Sequence, residues 1–296
     1  MTKESSRKDY AAYIAVKAAI SAVSLLPLSL TLWIGRIIGL CMYHFHPKRK
    51  RIGYANLKAA FCGDRSPSEL KDILRRTYKN YGQTIMETLL MAKIDRAYLK
   101  KYINIEGLER IGEAHSRKKG LIFLTSHFGN WELSSLKSAQ IGYPIYALAS
   151  PSKYKRLSSL FNSYRERLGC KVIERGMPFR EMVKALRDDK TIGILSDQDV
   201  GESGIFIDLL GRPASHPLGA ARLAWDTGAA ILPTFIIRQK GPRHLIKLGE
   251  FFTIPKTDDR DAEIRKALER QTRILESYIK EYPDQWLWVY TRWKST

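Results

Sequence analysis

The sequence predicts an α/β fold, a central mixed sheet with helices on both faces, preceded by a pair of apolar helices. Three observations carry this expectation. From about residue 103 onward, short apolar runs alternate with amphipathic segments, as they do where strands and crossover helices take turns. Within that stretch the unbroken apolar run Leu121-Ile122-Phe123-Leu124 reads as a buried strand. The first 47 residues differ, with two apolar stretches between clusters of Lys and Arg. A chain of 296 residues can build one large core with a small appendage, so the expected division is 1–47, a membrane-associating helical segment, and 48–296, one large α/β domain.

The first elements are helices over Tyr10 to Leu26 and Leu28 to Phe45, separated at Pro27. Lys3, Arg7 and Lys8 precede them and Lys48, Arg49, Lys50 and Arg51 follow, which places both ends on the cytoplasmic side. Lys17, Ser21 and Ser24 form a narrow polar face suited to a helix in the membrane interface or a shallow hairpin. An ordinary core helix pair, or one span over Ala18 to Ile34, are the alternatives.

Ser66-Pro67-Ser68-Glu69 has the form of a capping box with proline at the first helical position, so a helix begins there. Leu70, Ile73, Leu74, Tyr81, Ile85 and Leu89 continue it as a core-facing stripe. Strands are predicted at Leu121 to Thr125, Ile145 to Leu148, Lys171 to Ile173, Thr191 to Leu195, Ala230 to Ile237 and His244 to Ile254. Helices are predicted near Asn130 to Ala139, Lys153 to Leu168, Pro178 to Asp188, Leu218 to Asp226 and Asp261 to Tyr282.

Composition narrows the function. Fifty Lys and Arg against 30 Asp and Glu give a net charge of +20, which implies a polyanionic partner: nucleic acid, an anionic membrane surface, an acidic carrier protein or a phosphorylated substrate. Cys41, Cys62 and Cys170 are odd in number and widely spaced, which argues against a disulfide framework or zinc site and favours a reducing compartment. There is no HExxH pattern, G-x-S-x-G elbow, P-loop or G-x-G-x-x-G, so neither a metal, a covalent enzyme nucleophile nor a nucleotide cofactor is expected.

The most informative segment is Thr125-Ser126-His127-Phe128-Gly129-Asn130-Trp131-Glu132. It follows the strand run Leu121-Ile122-Phe123-Leu124, Gly129 permits a sharp turn, and Asn130 is a good N-cap for a helix starting at Trp131. On one continuous helix, His127 and Glu132 would point roughly 140° apart. The strand-turn-helix corner is what would let Glu132 reach back, fix the imidazole tautomer and leave its other nitrogen free as a base for a substrate hydroxyl. A histidine that merely hydrogen-bonds the turn is the simpler alternative.

His127-Phe128-Gly129-Asn130-Trp131-Glu132 resembles the H-x4-D/E signature of glycerolipid and lysophospholipid acyltransferases, in particular the bacterial late acyltransferases of lipid A synthesis. The resemblance takes in three further blocks, Arg51 to Phe61 with its Asn56-Leu57 pair, Ser196-Asp197-Gln198-Asp199, and Pro283 to Lys294. The chain departs from the family pattern at Tyr290-Thr291, where His-Arg is common, and at Ala149-Ser150, where an Arg is common. Both differences bear on the acceptor rather than on proton transfer.

The resemblance implies a fatty acyl transfer from a thioester, on acyl carrier protein or coenzyme A, to a hydroxyl of a lipid acceptor, most simply a lipid A precursor. The implied place is the cytoplasmic face of a bacterial inner membrane, with anionic membrane lipids as partners and no nucleic acid. His127 would be the general base and Glu132 its orienting partner. Backbone amides after Gly129 are candidates to polarise the thioester carbonyl, and Phe128, Trp131 and Leu133 to border the acyl slot. Arg165, Arg175 and Arg180 flank turns where guanidinium groups could bind phosphate or polarise the thioester. Asp197, Gln198 and Asp199 follow a strand, where α/β folds place ligands, and the resemblance assigns them to the floor of the site or the acceptor pocket. Trp286, Trp288 and Trp293 are read either as interfacial anchors or as core. Another glycolipid or lysophospholipid acceptor, such as a phosphatidylinositol mannoside, is the alternative within the enzyme class. A basic membrane- or nucleic-acid-binding module without chemistry is the alternative outside it.

Overall fold

The computed structural model describes residues 3–61, 63–149, 154–174 and 179–295. Two helices, α1 (Lys3–Ser24) and α2 (Leu28–Phe45), meet at Pro27, as the sequence predicts. Helix α3 (Pro47–Ala60) follows, and α4 (Pro67–Leu89) starts with the predicted capping box: Glu69 N donates to Ser66 Oγ, while Ser66 N donates to Glu69 Oε2. Two short helices, α5 (Arg96–Tyr102) and α6 (Glu109–His115), flank strand β1 (Ile103–Glu106).

Strand β2 (Leu121–Thr125) then leads through the His127 corner into α7 (Trp131–Gln140). Strands β3 (Ile145–Ala149), β4 (Lys171–Glu174) and β5 (Thr191–Leu195) alternate with α8 (Lys155–Arg167) and α9 (Phe179–Arg187). A hairpin of β6 (Ile205–Leu209) and β7 (Arg212–His216) stands apart from the main sheet and is not among the strands predicted from the sequence. Helix α10 (Gly219–Thr227), strands β8 (Ala230–Arg238) and β9 (His244–Leu248), and α11 (Arg260–Glu281) complete the chain. The ninth strand stops at Leu248 rather than Ile254, because beyond it the pairing with β8 becomes irregular, held by Gly249 N to Pro233 O and by an isolated antiparallel bridge between Ile231 and Phe252.

The main sheet has seven strands in the order β1-β9-β8-β2-β5-β3-β4. Neighbours from β8 to β4 run parallel, whereas β9 pairs antiparallel with β8 and parallel with β1, so the sheet is mixed. Leu121 and Phe123 of β2 pack on the α7 face and Ile122 and Leu124 on the α10 and α11 face. A strand buried on both sides must be apolar throughout, which is why Leu121-Ile122-Phe123-Leu124 is an unbroken run.

The N-terminal helices pack on this body. Gly35 and Gly39 of α2 meet Gly82 of α4 so closely that a Cβ on Gly39 would fall on the Tyr78 carbonyl and one on Gly82 on the Gly35 carbonyl. Small residues permit that approach, and the opposite face of the pair stays exposed. Of the eleven exposed large hydrophobic residues among those described, seven lie here: Tyr10, Ile14, Leu25, Leu30, Trp33, Ile37 and Phe45. Helix α2 is the one helix among the described residues long and apolar enough to cross a membrane.

Candidate active site

The corner after β2 has the predicted strand-turn-helix form. Gly129 sits at φ +54°, a conformation that favours glycine, with the Ile236 carbonyl where a Cβ would go. Asn130 caps α7 by accepting from Leu133 N. The C-terminal segment closes over the corner as an antiparallel partner, with Gly129 N bonded to Gln285 O and Leu287 N to His127 O.

The partner of His127 is Asp197. Strands β2 and β5 are parallel neighbours with Thr125 opposite Leu195, so the residues two places beyond each meet at the carboxyl edge of the sheet. His127 Nδ1 lies 2.8 Å from Asp197 Oδ1, and Asp197 Oδ2 accepts from His127 N at 2.9 Å and from Trp286 Nε1 at 3.0 Å. Burial opposes the charge on Asp197, but the His127 charge and these hydrogen bonds outweigh it and hold the carboxyl below its ordinary range. Burial likewise pushes His127 down, yet Asp197 outweighs it and the net shift is upward. An ionised Asp197 requires Nδ1 to carry the proton, which leaves Nε2 as the acceptor.

Glu132 therefore does not close onto His127 as expected. From the first turn of α7 its carboxylate faces α8, where Arg165 grips it with two hydrogen bonds, Nε to Oε2 at 2.8 Å and Nη2 to Oε1 at 2.7 Å. Arg165 Nη1 also donates to Asn162 Oδ1 at 2.6 Å. A bidentate fork of this kind is strong and directional.

Trp131 joins the two halves. Its ring packs edge-on against His127 at 5.0 Å between centroids, and it borders an apolar cavity of about 430 Å³ between the sheet and α8. Phe123, Ile145 and Leu195 form one wall, Leu157 and Phe161 the other, and Glu132 with Arg165 stand among the lining residues. Of the three side chains proposed for an acyl slot, Trp131 lines this cavity. Phe128 is instead fully buried against Phe235, and Leu133 packs in the core under α7. The amides of Gly129 and Leu133 are already bonded to Gln285 and Asn130, whereas those of Trp131 and Glu132, in the first helical turn, have no intrahelical acceptor.

The other candidates are placed differently. Arg180 is exposed in the first turn of α9, with no ion pair among the described residues. Arg175, the Gly176 to Pro178 turn and Ser150 lie outside the described residues. Gln198 is half-buried. Asp199 fastens the C-terminal tail, accepting from Ser295 Oγ at 2.6 Å and Gly201 N at 2.9 Å. Trp286, Trp288 and Trp293 are buried, which overturns the reading of them as interfacial anchors. Their rings stack edge-on, Trp286 against Trp288 at 4.7 Å and against Trp293 at 6.2 Å.

Sequence reasoning missed the support under the corner. Glu87 of α4, fully buried, accepts from Arg238 Nη1 and Nη2, each at 2.7 Å, and from Asn130 Nδ2 at 2.7 Å. Arg238 also reaches Thr84 Oγ1, whose hydroxyl donates to Gly129 O. The one available signal was a carboxylate among apolar residues, Met86-Glu87-Thr88-Leu89-Leu90, matched by an Arg ending an apolar strand.

Comparison with known proteins identifies the family. The family described as bacterial lipid A biosynthesis acyltransferase matches residues 1–295. The chain is similar to a phosphatidylinositol mannoside acyltransferase of Mycolicibacterium smegmatis, 24% identical over 75% of this chain and 72% of the relative. It is similar also to the lipid A biosynthesis palmitoleoyltransferase and lauroyltransferase of Escherichia coli, 23% and 24% identical, each over 91% of this chain and 87% of the relative. With a buried Asp-His pair beside an apolar cavity and a family match along almost its whole length, the chain belongs to the bacterial lipid A biosynthesis acyltransferase family and is an acyltransferase acting on a lipid acceptor.

Proposed function

We propose that the protein moves a fatty acyl chain from a thioester, on acyl carrier protein or coenzyme A, to a hydroxyl of a lipid A precursor at the cytoplasmic face of a bacterial inner membrane. The observation that carries the chemistry is the His127 imidazole, bonded through Nδ1 to buried Asp197 and touching, through Trp131, the apolar cavity. In this reading Nε2 takes the proton of the acceptor hydroxyl as its oxygen attacks the thioester carbonyl. The tetrahedral intermediate collapses with loss of the thiolate, which receives that proton, so an ester and a free thiol leave.

Asp197 orients the imidazole and stabilises its protonated form, the part the sequence reading gave to Glu132. Glu132 holds Arg165 so that its positive charge faces the thioester oxygen, with the amides of Trp131 and Glu132 as further donors. The cavity takes the acyl chain. Residues 1–47 form the membrane-associating segment, because their exposed apolar face pairs with the basic run Lys48 to Arg51. A phosphatidylinositol mannoside acceptor is the second reading, favoured by the likeness to the mycobacterial protein.

The deciding experiment is mass spectrometry of lipids after expression in a bacterial host lacking its own late acyltransferase, with His127→Ala alongside. A new acyl group on the lipid A precursor, absent with the variant, supports the reading. Acylation of a different lipid by the wild type reassigns the acceptor, and equal acylation by a folded His127→Ala protein overturns the mechanism.

A further inference from the structure

A second cleft, of about 500 Å³, lies where α2 ends and α3 begins, against the first turns of α4. Lys50, Arg51 and Lys71 stand around it, with Tyr43, Tyr54 and Leu74 completing the wall. Tyr43 and Leu74 are buried and form an apolar floor, and the Lys50 ammonium lies 4.0 Å from the centroid of the Tyr43 ring. Among the described residues none of the three cations has a carboxylate partner. Three like charges around one concave surface repel one another, and an anion in the cleft would relieve that repulsion.

Location gives the class of anion. Phe45, at the last turn of α2 beside the cleft, is 77% exposed, and the exposed Trp33 and Ile37 continue the apolar face along the same helix. The cleft therefore lies at the polar end of an apolar surface, the depth at which a lipid headgroup sits. It also connects with the catalytic corner. Helix α4 runs from Lys71 and Leu74 at the cleft to Thr77, Asn80 and Tyr81, which line the small space beside His127. The ten residues from Lys71 to Tyr81 span about 15 Å of helix. On its other side α3 holds the C-terminal segment, Asn56 Nδ2 donating to the carbonyls of Trp288 and Tyr290, and the Tyr290 ring lies 5.5 Å from His127.

We propose that this cleft binds a phosphate group of the lipid acceptor, holding it while a hydroxyl elsewhere on the same molecule reaches His127. The inference rests on the acyltransferase reading above. Arg51 supplies a fork for two phosphate oxygens, Lys50 and Lys71 supply point charges, and the tyrosine rings take the adjoining sugar or glycerol face. The acceptor's own chains then lie along the apolar face of α2, leaving the cavity at Trp131 for the transferred chain.

The test uses full-length protein in neutral detergent, with a short-chain phosphatidic acid as the soluble probe and the matching diacylglycerol as control. Binding is measured by titration calorimetry for the wild type, Lys50→Gln/Lys71→Gln, and the charge-preserving Lys50→Arg/Lys71→Arg. The expected result is probe binding weakened at least about tenfold in the Gln variant, restored in the Arg variant, and weakened by salt in the wild type. In turnover, the acceptor KM should rise about tenfold in the Gln variant while the donor KM moves much less. Equal binding of phosphatidic acid and diacylglycerol, or unchanged binding in the Gln variant, overturns the cleft as a phosphate site. Lost probe binding with an unchanged acceptor KM overturns the assignment to the acceptor, leaving the cleft to bulk membrane phosphate. Were the wild type to acylate no lipid, the acyltransferase reading would fail while the calorimetric arm still decided the cleft.

Discussion

His127 and Asp197 face each other because each lies two residues beyond a register pair, Thr125 and Leu195, on adjacent parallel strands. The sheet therefore sets their separation, and the 2.8 Å bond joins two rigid strand ends.

Replacing Asp197 with Asn keeps the shape and removes the charge. We expect kcat/KM to fall by roughly 10²- to 10⁴-fold, since the tautomer and the protonated state both lose support. The pH profile gives a second readout. His127 must be neutral to act as a base, so activity falls as pH drops through its raised pKa, and without Asp197 that acid limb should move to lower pH. An unshifted limb would remove Asp197 from the mechanism.

Arg165→Lys retains the charge but not the fork that meets both oxygens of Glu132. A fall in kcat of about 10²-fold is expected if this group stabilises the developing oxyanion. A change confined to donor KM would instead make Arg165 a binding residue.

Leu157→Trp should fill part of the cavity between the sheet and α8. With a set of acyl donors of graded length, the preferred chain should shorten while the shortest donors react at close to the wild-type rate. Unchanged preference would place the acyl chain elsewhere.

Trp33→Glu/Ile37→Glu tests the membrane surface without disturbing the fold. Deleting the N-terminal helices is less informative, because α2 covers Tyr78 and Gly82 of α4 and removing it would expose core. The charged variant should lose sedimentation with anionic vesicles and keep its unfolding midpoint. Full retention on vesicles would place the membrane contact on another surface.

Acid should destabilise the fold through two buried histidines. Burial, with Arg292 nearby, lowers His216 to about 3, and burial, with Arg238 opposing the charge, lowers His244 to about 4. His244 is thus neutral near pH 7, and its 3.8 Å approach to Glu87 is not an ion pair there. Below the unfolded value of about 6.5 the unfolded chain binds protons that the native state refuses, so stability falls as pH drops towards these values. The slope should approach about 1.4 kcal/mol per pH unit for each histidine. His127 has the opposite sign, its contribution growing as pH falls through its raised pKa and constant below the unfolded one. Urea midpoints at pH 7, 6 and 5 measure the sum, and a flat profile would contradict the burial of both neutral rings. Glu87→Gln should cost about 3–5 kcal/mol at pH 7 by leaving Arg238 buried and unpaired.

Local chemistry made much of this protein legible in its sequence. The capping box at Ser66, the break at Pro27, the unbroken apolar run of β2 and the turn at Gly129 each follow from interactions within a few residues, and all appear where the sequence places them. The division of labour between the carboxylates did not follow, because it depends on strand register and helix packing. Asp197 is 70 residues from His127 and meets it because β5 lies beside β2, while Glu132 meets Arg165 because the last turn of α8 comes beside the first turn of α7. Spacing along the chain marked His127 and Glu132 as a pair. Only the sheet, by bringing two strand ends to one edge, gave the histidine to Asp197 and left Glu132 to orient a cation.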